Sequence, residues 1–145
     1  MNNALTNLLN KLDDGEMVCK ASDVAPLFDM DASNLRCVAL HAKDQLPFAS
    51  YVIGKNIKFS VPSVLKYVVG CDVMTPQMID AAFGDIIDCG EYCVPSDLAK
   101  IFKCDPNTLR RAVRESPNVL GVLPVISGRR IKIPVDPFIR SMTGC

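Results

Sequence analysis

The chain reads as a mainly α fold with small β-hairpins, an α+β class assembled twice in tandem, and three observations carry that reading. The stretch from Ser96 to Arg114 has the pattern of two short helices joined by a tight turn, the second bearing three arginines. The stretch after it, Pro124 to Pro134, has two β-branched arms around a Ser127-Gly128 turn with basic residues near the tip. Shifting the sequence by 74 residues then lays the second half on the first.

That shift aligns Cys19 with Cys93, Ser22 with Ser96, Asp23 with Asp97, Ala25 with Ala99 and Phe28 with Phe102. It goes on to pair Asp31 with Asp105, Leu35 with Leu109, Arg36 with Arg110, Gly54 with Gly128, Ile57 with Ile131, Lys58 with Lys132 and Gly70-Cys71 with Gly144-Cys145. Identities spread along one constant offset are hard to obtain by chance. The sequence therefore divides as a tandem duplication into residues 1–74 and residues 75–145.

Each copy opens with a leader helix. Leu5, Leu8, Leu9 and Leu12 form one apolar stripe, and Met78, Ile79, Ala82, Phe83 and Ile86 form the other after a Thr75-Pro76 start. Such stripes are core, packed on their own or the neighbouring unit, with a homodimer or protein contact as the rival reading. Both leaders end in acidic, glycine-containing turns, Asp13-Asp14-Gly15-Glu16 and Asp88-Cys89-Gly90-Glu91. In the second unit Ser96 or Pro95 opens a helix whose apolar face is Leu98, Ala99 and Phe102. Asp105-Pro106 restarts the chain, because Asp caps free backbone N–H groups and Pro fits the first helical position. Leu109, Ala112 and Val113 then face inward, leaving Asn107, Arg110, Arg111 and Arg114 outward, where long donors can enter a DNA groove. After the hairpin, Asp136-Pro137 to Met142 reads as a capped closing helix.

Helix, turn, arginine-bearing helix, basic hairpin, helix is the order of a small winged helix-turn-helix unit. The run from Tyr92 to Met142, with Asp97-Leu98-Ala99, Thr108-Leu109-Arg110-Arg111 and Gly128-Arg129-Arg130-Ile131-Lys132-Ile133-Pro134, resembles the excisionase-like branch of the MerR-type winged-helix proteins. The resemblance implies a non-catalytic, sequence-selective binder of double-stranded DNA, an excisionase or small transcriptional regulator. It places the second helix in the major groove and the wing on the backbone or minor groove. On that basis Asn107, Arg110, Arg111 and Arg114 face the groove, and Arg129, Arg130 and Lys132 hold the flanking strand. The alternative is the same fold holding another protein within a phage or mobile-element assembly.

The copies differ in charge. Sixteen basic residues balance sixteen acidic ones overall, yet residues 17–71 hold six basic against four acidic, and residues 91–145 nine against five. The remainder, residues 1–16 and 72–90, holds seven acids and a single basic residue, Lys11, so the leaders and the join are net acidic. In the first unit the helix from Asp31 to His41 has Cys37 and Leu40 where the second has Arg111 and Arg114, leaving Arg36 as its only guanidinium. Its wing keeps two lysines, Lys55 and Lys58, where the second unit has Arg129, Arg130 and Lys132. Lysine binds phosphate as a point charge, whereas arginine can fork onto guanine. The first unit thus suits backbone or protein contact better than base reading.

Catalysis is not expected. His41 is the only histidine, and no phosphate loop, Walker pattern or dinucleotide fingerprint is present, so no cofactor is implied. Cys89 and Cys93 have half of a metal-site spacing, but structural zinc needs four closely specified ligands, and no matching set exists. The odd count of seven cysteines, with no secretory start at Met1-Asn2-Asn3, implies reduced thiols and a cytoplasmic protein. No apolar run approaches the roughly 20 residues that span a bilayer, so no membrane partner is expected.

Overall fold

Two of the four leader leucines set the first helix. In the structure, a computed structural model describing residues 3–144, helix α1 (Asn3–Asp13) buries Leu8 and Leu12 while Leu9 stays exposed. Met1, Asn2 and Cys145, on which the start and the last thiol were read, lie outside the described residues. After strand β1 (Val18–Cys19) come helix α2 (Ala21–Val24) and a 3₁₀ turn over Ala25–Phe28. Helix α3 (Ala32–His41), a 3₁₀ turn over Lys43–Gln45, the hairpin of β2 (Ser50–Ile53) and β3 (Asn56–Ser60), and helix α4 (Val61–Val69) complete the half.

The second half runs α5 (Pro76–Ile87), β4 (Tyr92–Cys93), α6 (Pro95–Phe102), α7 (Pro106–Glu115), β5 (Val125–Ser127), β6 (Arg130–Pro134) and α8 (Val135–Thr143). Each half has one antiparallel three-stranded sheet, in the orders β1-β3-β2 and β4-β6-β5. The 74-residue offset holds down to the register: Tyr51 pairs with Lys58 as Val125 does with Lys132, and Cys19 with Phe59 as Cys93 does with Ile133.

Local chemistry repeats with the same spacing. The Asp31 carboxylate accepts the Ser33 N–H at 2.8 Å, and the Asp105 carboxylate accepts the Asn107 N–H at 2.7 Å, each capping the helix that follows. Asp29 and Lys103 end the preceding segments at φ 51° and 54°, left-handed positions taken here without glycine. Pro26 makes the halves differ. It lacks the N–H that an α-helix needs at that point, so the stretch after Val24 tightens into the 3₁₀ turn, whereas α6, with Lys100 there, runs unbroken.

Three details depart from the sequence reading. The two-residue strands β1 and β4 were not anticipated, being too short to show a period. The second hairpin turns on Gly128-Arg129, not Ser127-Gly128: Ser127 pairs with Arg130, and positive φ at Gly128 alone fits a type II′ turn. The closing helix starts at Val135 with Pro134 before it, and its first N–H is taken by the Glu91 carbonyl at 3.0 Å, so Asp136 is not the cap.

One hydrophobic core runs through both halves. At its centre the Tyr51 ring meets Phe102 edge-on, with centroids 4.8 Å apart, and Phe102 continues to Phe138 at 5.9 Å. Strand β2 packs on α7, and α4 packs on α8. Lys58 Nζ donates to the carbonyls of Phe102 and Lys103, where the α6 dipole is negative, and Ser60 Oγ donates to the Met142 carbonyl. Glu16, Lys11 and Lys103 form an ion cluster across the join. The contact is heterologous: the hairpin and α4 of the first half meet the α6–α7 pair and α8 of the second.

The Tyr51 hydroxyl is buried with no hydrogen-bond partner among the described residues. An orphaned buried hydroxyl is a cost, while the ring is a gain. Tyr51→Phe should therefore leave the melting temperature unchanged or raise it, and Tyr51→Ala should cost about 3–5 kcal/mol. A clear loss in the Phe variant would show that the hydroxyl has a partner.

Candidate functional site

The basic side chains of the second half converge on one cleft. The N-terminal end of α6 supplies Val94, Pro95 and Ser96, α7 supplies Arg110, and the hairpin supplies Arg129, Arg130, Ile131 and Lys132, around a volume of about 320 Å³. No acidic residue lines it. The buried face of α7, Leu109, Ala112 and Val113, holds that helix against the core and turns its arginines outward.

The three arginines of α7 have different surroundings. Arg110 is half-buried and donates to the Asn107 side-chain carbonyl at 2.6 Å, which fixes its fork toward the cleft. Arg114 donates to the Gly128 carbonyl at 3.0 Å, tying the last turn of α7 to the hairpin tip. Arg111 is exposed and carries no hydrogen bond or ion pair to the described residues. Arg129, Arg130 and Lys132 are exposed on the hairpin.

The same cleft exists 74 residues earlier. Lys20, Ala21, Ser22, Arg36, Lys55, Asn56, Ile57 and Lys58 line a volume of about 380 Å³, joined by Lys11, Val18, Cys19, Asp23 and Lys103. Every lining residue of the second cleft thus has its counterpart in the first. The content differs. Lys58 is drawn onto the α6 carbonyls, and partial burial lowers its pKa. Lys11 and Lys103 are engaged by Glu16, leaving Lys20, Arg36 and Lys55 as the cations of this cleft without an ion pair among the described residues. Sequence reasoning missed Lys11, Lys20 and Lys103 here. The repeat does not flag Lys20, because Val94 stands opposite it, and Lys103 arrives from the other half.

The two hairpins flank one helix. A Cβ on Gly54 would lie 3.4 Å from Thr108 Cγ2, which sets the tip of the first hairpin, with Lys55, beside the first turn of α7. The second tip is held at the last turn through Arg114. On α3 the exposed positions are Ser33, Asn34, Arg36, Cys37, Leu40 and His41, so Arg36 is its one exposed guanidinium. The leader stripes face the core through Leu8, Leu12, Phe83 and Ile86.

Two of the thiols are buried, and Cys37, Cys71 and Cys89 are exposed. Burial pushes the Cys19 and Cys93 thiols up to about 12, which leaves them protonated and unreactive near neutrality. Cys89 is exposed while Cys93 is buried, and the described residues hold no group of three or more His, Cys, Asp or Glu placed to bind a metal. No helix among them is long and apolar enough to cross a membrane. Comparison with protein-family models, curated proteins and solved structures finds no match.

The cluster at the join titrates. Lys103, then Lys11, holds the Glu16 carboxyl below its usual range. A depressed folded-state pKa gives stability that is present above the unfolded value, about 4.3, and is lost as pH falls through the folded one. Glu16→Gln should therefore lower the melting temperature near neutrality by an amount worth at most about 1 kcal/mol, as for exposed pairs. The gap should close once the pH falls below the folded-state value, where the carboxyl is protonated in both states. A gap that does not change with pH would contradict this role.

Proposed function

We propose that this chain binds double-stranded DNA sequence-selectively and without catalysis, as two tandem winged helix-turn-helix units of which the second reads bases. The observation that carries the reading is the second cleft, where four cations from a helix and a hairpin converge without an acid beside them. A duplex backbone is a line of phosphates, and a surface of this kind supplies the sequence-independent part of affinity. Base reading needs donors on a protruding helix, and α7 offers Asn107 and Arg111, with Arg110 braced beside them.

The two halves then have unequal parts. Helix α7 enters the major groove, Arg129, Arg130 and Lys132 hold phosphates on one flank, and Lys55 reaches the backbone on the other. Arg36 and Lys20 extend the positive surface toward the first cleft. Lys58 serves the internal contact instead. The neutral total charge suits such a protein, since both units carry a basic excess and no acid lines the second cleft. An excisionase-like or small regulatory role fits a binder of this size. A second reading, an assembly module, is favoured by the exposed apolar residues Leu123, just before the second hairpin, and Val125 and Ile126 on it.

The test is fluorescence anisotropy on a duplex selected from a random pool, set against an unrelated duplex, at two salt concentrations. Arg111→Ala should weaken the selected duplex by about 1–3 kcal/mol and barely affect the unrelated one. Arg129→Ala should weaken both alike and lower the salt slope by about one. Lys55→Ala should have a smaller effect of the same kind. Absence of binding to any duplex even at low salt would end the DNA reading.

A further inference from the structure

The contact between the halves uses one face of each, and the equivalent faces are left open. In the first half, Tyr51 on β2 is fully buried against Phe102, whereas its counterpart Val125 on β5 is 57% exposed, beside Leu123 at 67%. In the second half the end of α8 is covered by the start of α4, with Met142 and Thr143 at 0% and 6%. The counterparts at the end of α4, Val68 and Val69, are 38% and 49% exposed, and Tyr67 beside them is 54% exposed. Each open face is thus the homologue of a face that is occupied inside the chain. A heterologous contact whose two sides are both free at the ends propagates.

We propose that this chain assembles head to tail with further copies of itself. The second hairpin and the start of α8 of one copy dock on the 3₁₀ turn at Phe28, α3 and the end of α4 of the next, as the corresponding elements do within the chain. The charges fit this contact better than the internal one. Inside the chain, Lys58 approaches the carbonyl of another cation, Lys103, and that charge opposes its own. Between copies, Lys132 takes the place of Lys58 and Asp29 that of Lys103, an opposite pair at the same left-handed cap. Two contacts are lost in the copy: Pro134 stands where Ser60 donates its hydroxyl, and Val125 is smaller than Tyr51. The intermolecular contact is accordingly reversible and concentration-dependent. The proposal does not depend on the DNA reading: Arg111 and the hairpin-tip arginines stand outside it, and Lys132, which the DNA reading also uses, is tested here without DNA.

The experiment is sedimentation velocity with light scattering on the full chain across a wide concentration range, without DNA. The wild type should grow past the dimer as concentration rises. Val125→Asp blocks one face of every copy and Val69→Asp the other, so each variant alone should stay monomeric. Both positions are exposed, and unchanged circular dichroism confirms folding. Mixed together, the two variants retain one competent pair of faces and should form a one-to-one dimer that grows no further. As a second check, Lys132→Glu and Asp29→Lys should each weaken assembly, and mixing them should restore pairing. A wild type that remains monomeric at every concentration would overturn the proposal. So would one that stops at a dimer, or a mixture of the Asp variants that stays monomeric.

Discussion

The edge of Tyr51 against Phe102, 4.8 Å between centroids, is the contact on which the rest of the arrangement depends. It seats the first hairpin on the helices of the second half and buries Tyr51 and Ile53, which would otherwise lie open as Val125 does. The aromatic pair is worth about 0.5–1.5 kcal/mol beyond its area burial. Its larger effect is positional. With the hairpin seated, Lys58 reaches the carbonyl end of α6, the Gly54 tip comes beside Thr108, and Lys103 comes over the first cleft.

That seating breaks the equivalence that the repeated sequence implies. Two copies related by a two-fold axis would present two like helices to a duplex. Here the first hairpin lies on the second half, so α7 has a hairpin tip at each end, and α3 lacks its arginine cluster. The proposed DNA surface is therefore a single asymmetric one. The same asymmetry leaves one donor face and one acceptor face without an intramolecular partner, and the proposed self-assembly follows from it.

Much of this was legible in the sequence where the cause is local. The alternation of Leu98, Ala99 and Phe102, the Asp31 and Asp105 caps, and the paired glycines at 54 and 128 each act within a few residues, and so they leave a readable pattern. The mixed class of helices and small antiparallel sheets followed from them. What escaped was non-local. Strands β1 and β4 exist because β3 and β6 offer them an edge, and two residues cannot display a period. Lys58 has the pattern of a free wing lysine until the α6 carbonyls arrive from the other half. Lys103 is a helix-end lysine in its own half and a lining residue of the other half's cleft. Among the three arginines of α7, only the folded hairpin separates Arg114, tied to Gly128, from Arg111, which is free.

The most direct measurement of the central claim is an amide chemical-shift map of the full chain titrated with a selected DNA duplex. The asymmetric surface predicts perturbations concentrated at residues 105–114 and 128–132, with a weaker set at Lys20, Arg36 and 54–56, and little change along α1, α5 and the rest of α3. Equal perturbation of α3 and α7 would contradict the claim that one helix reads the duplex. Perturbations confined to the leader helices would contradict the proposed surface altogether.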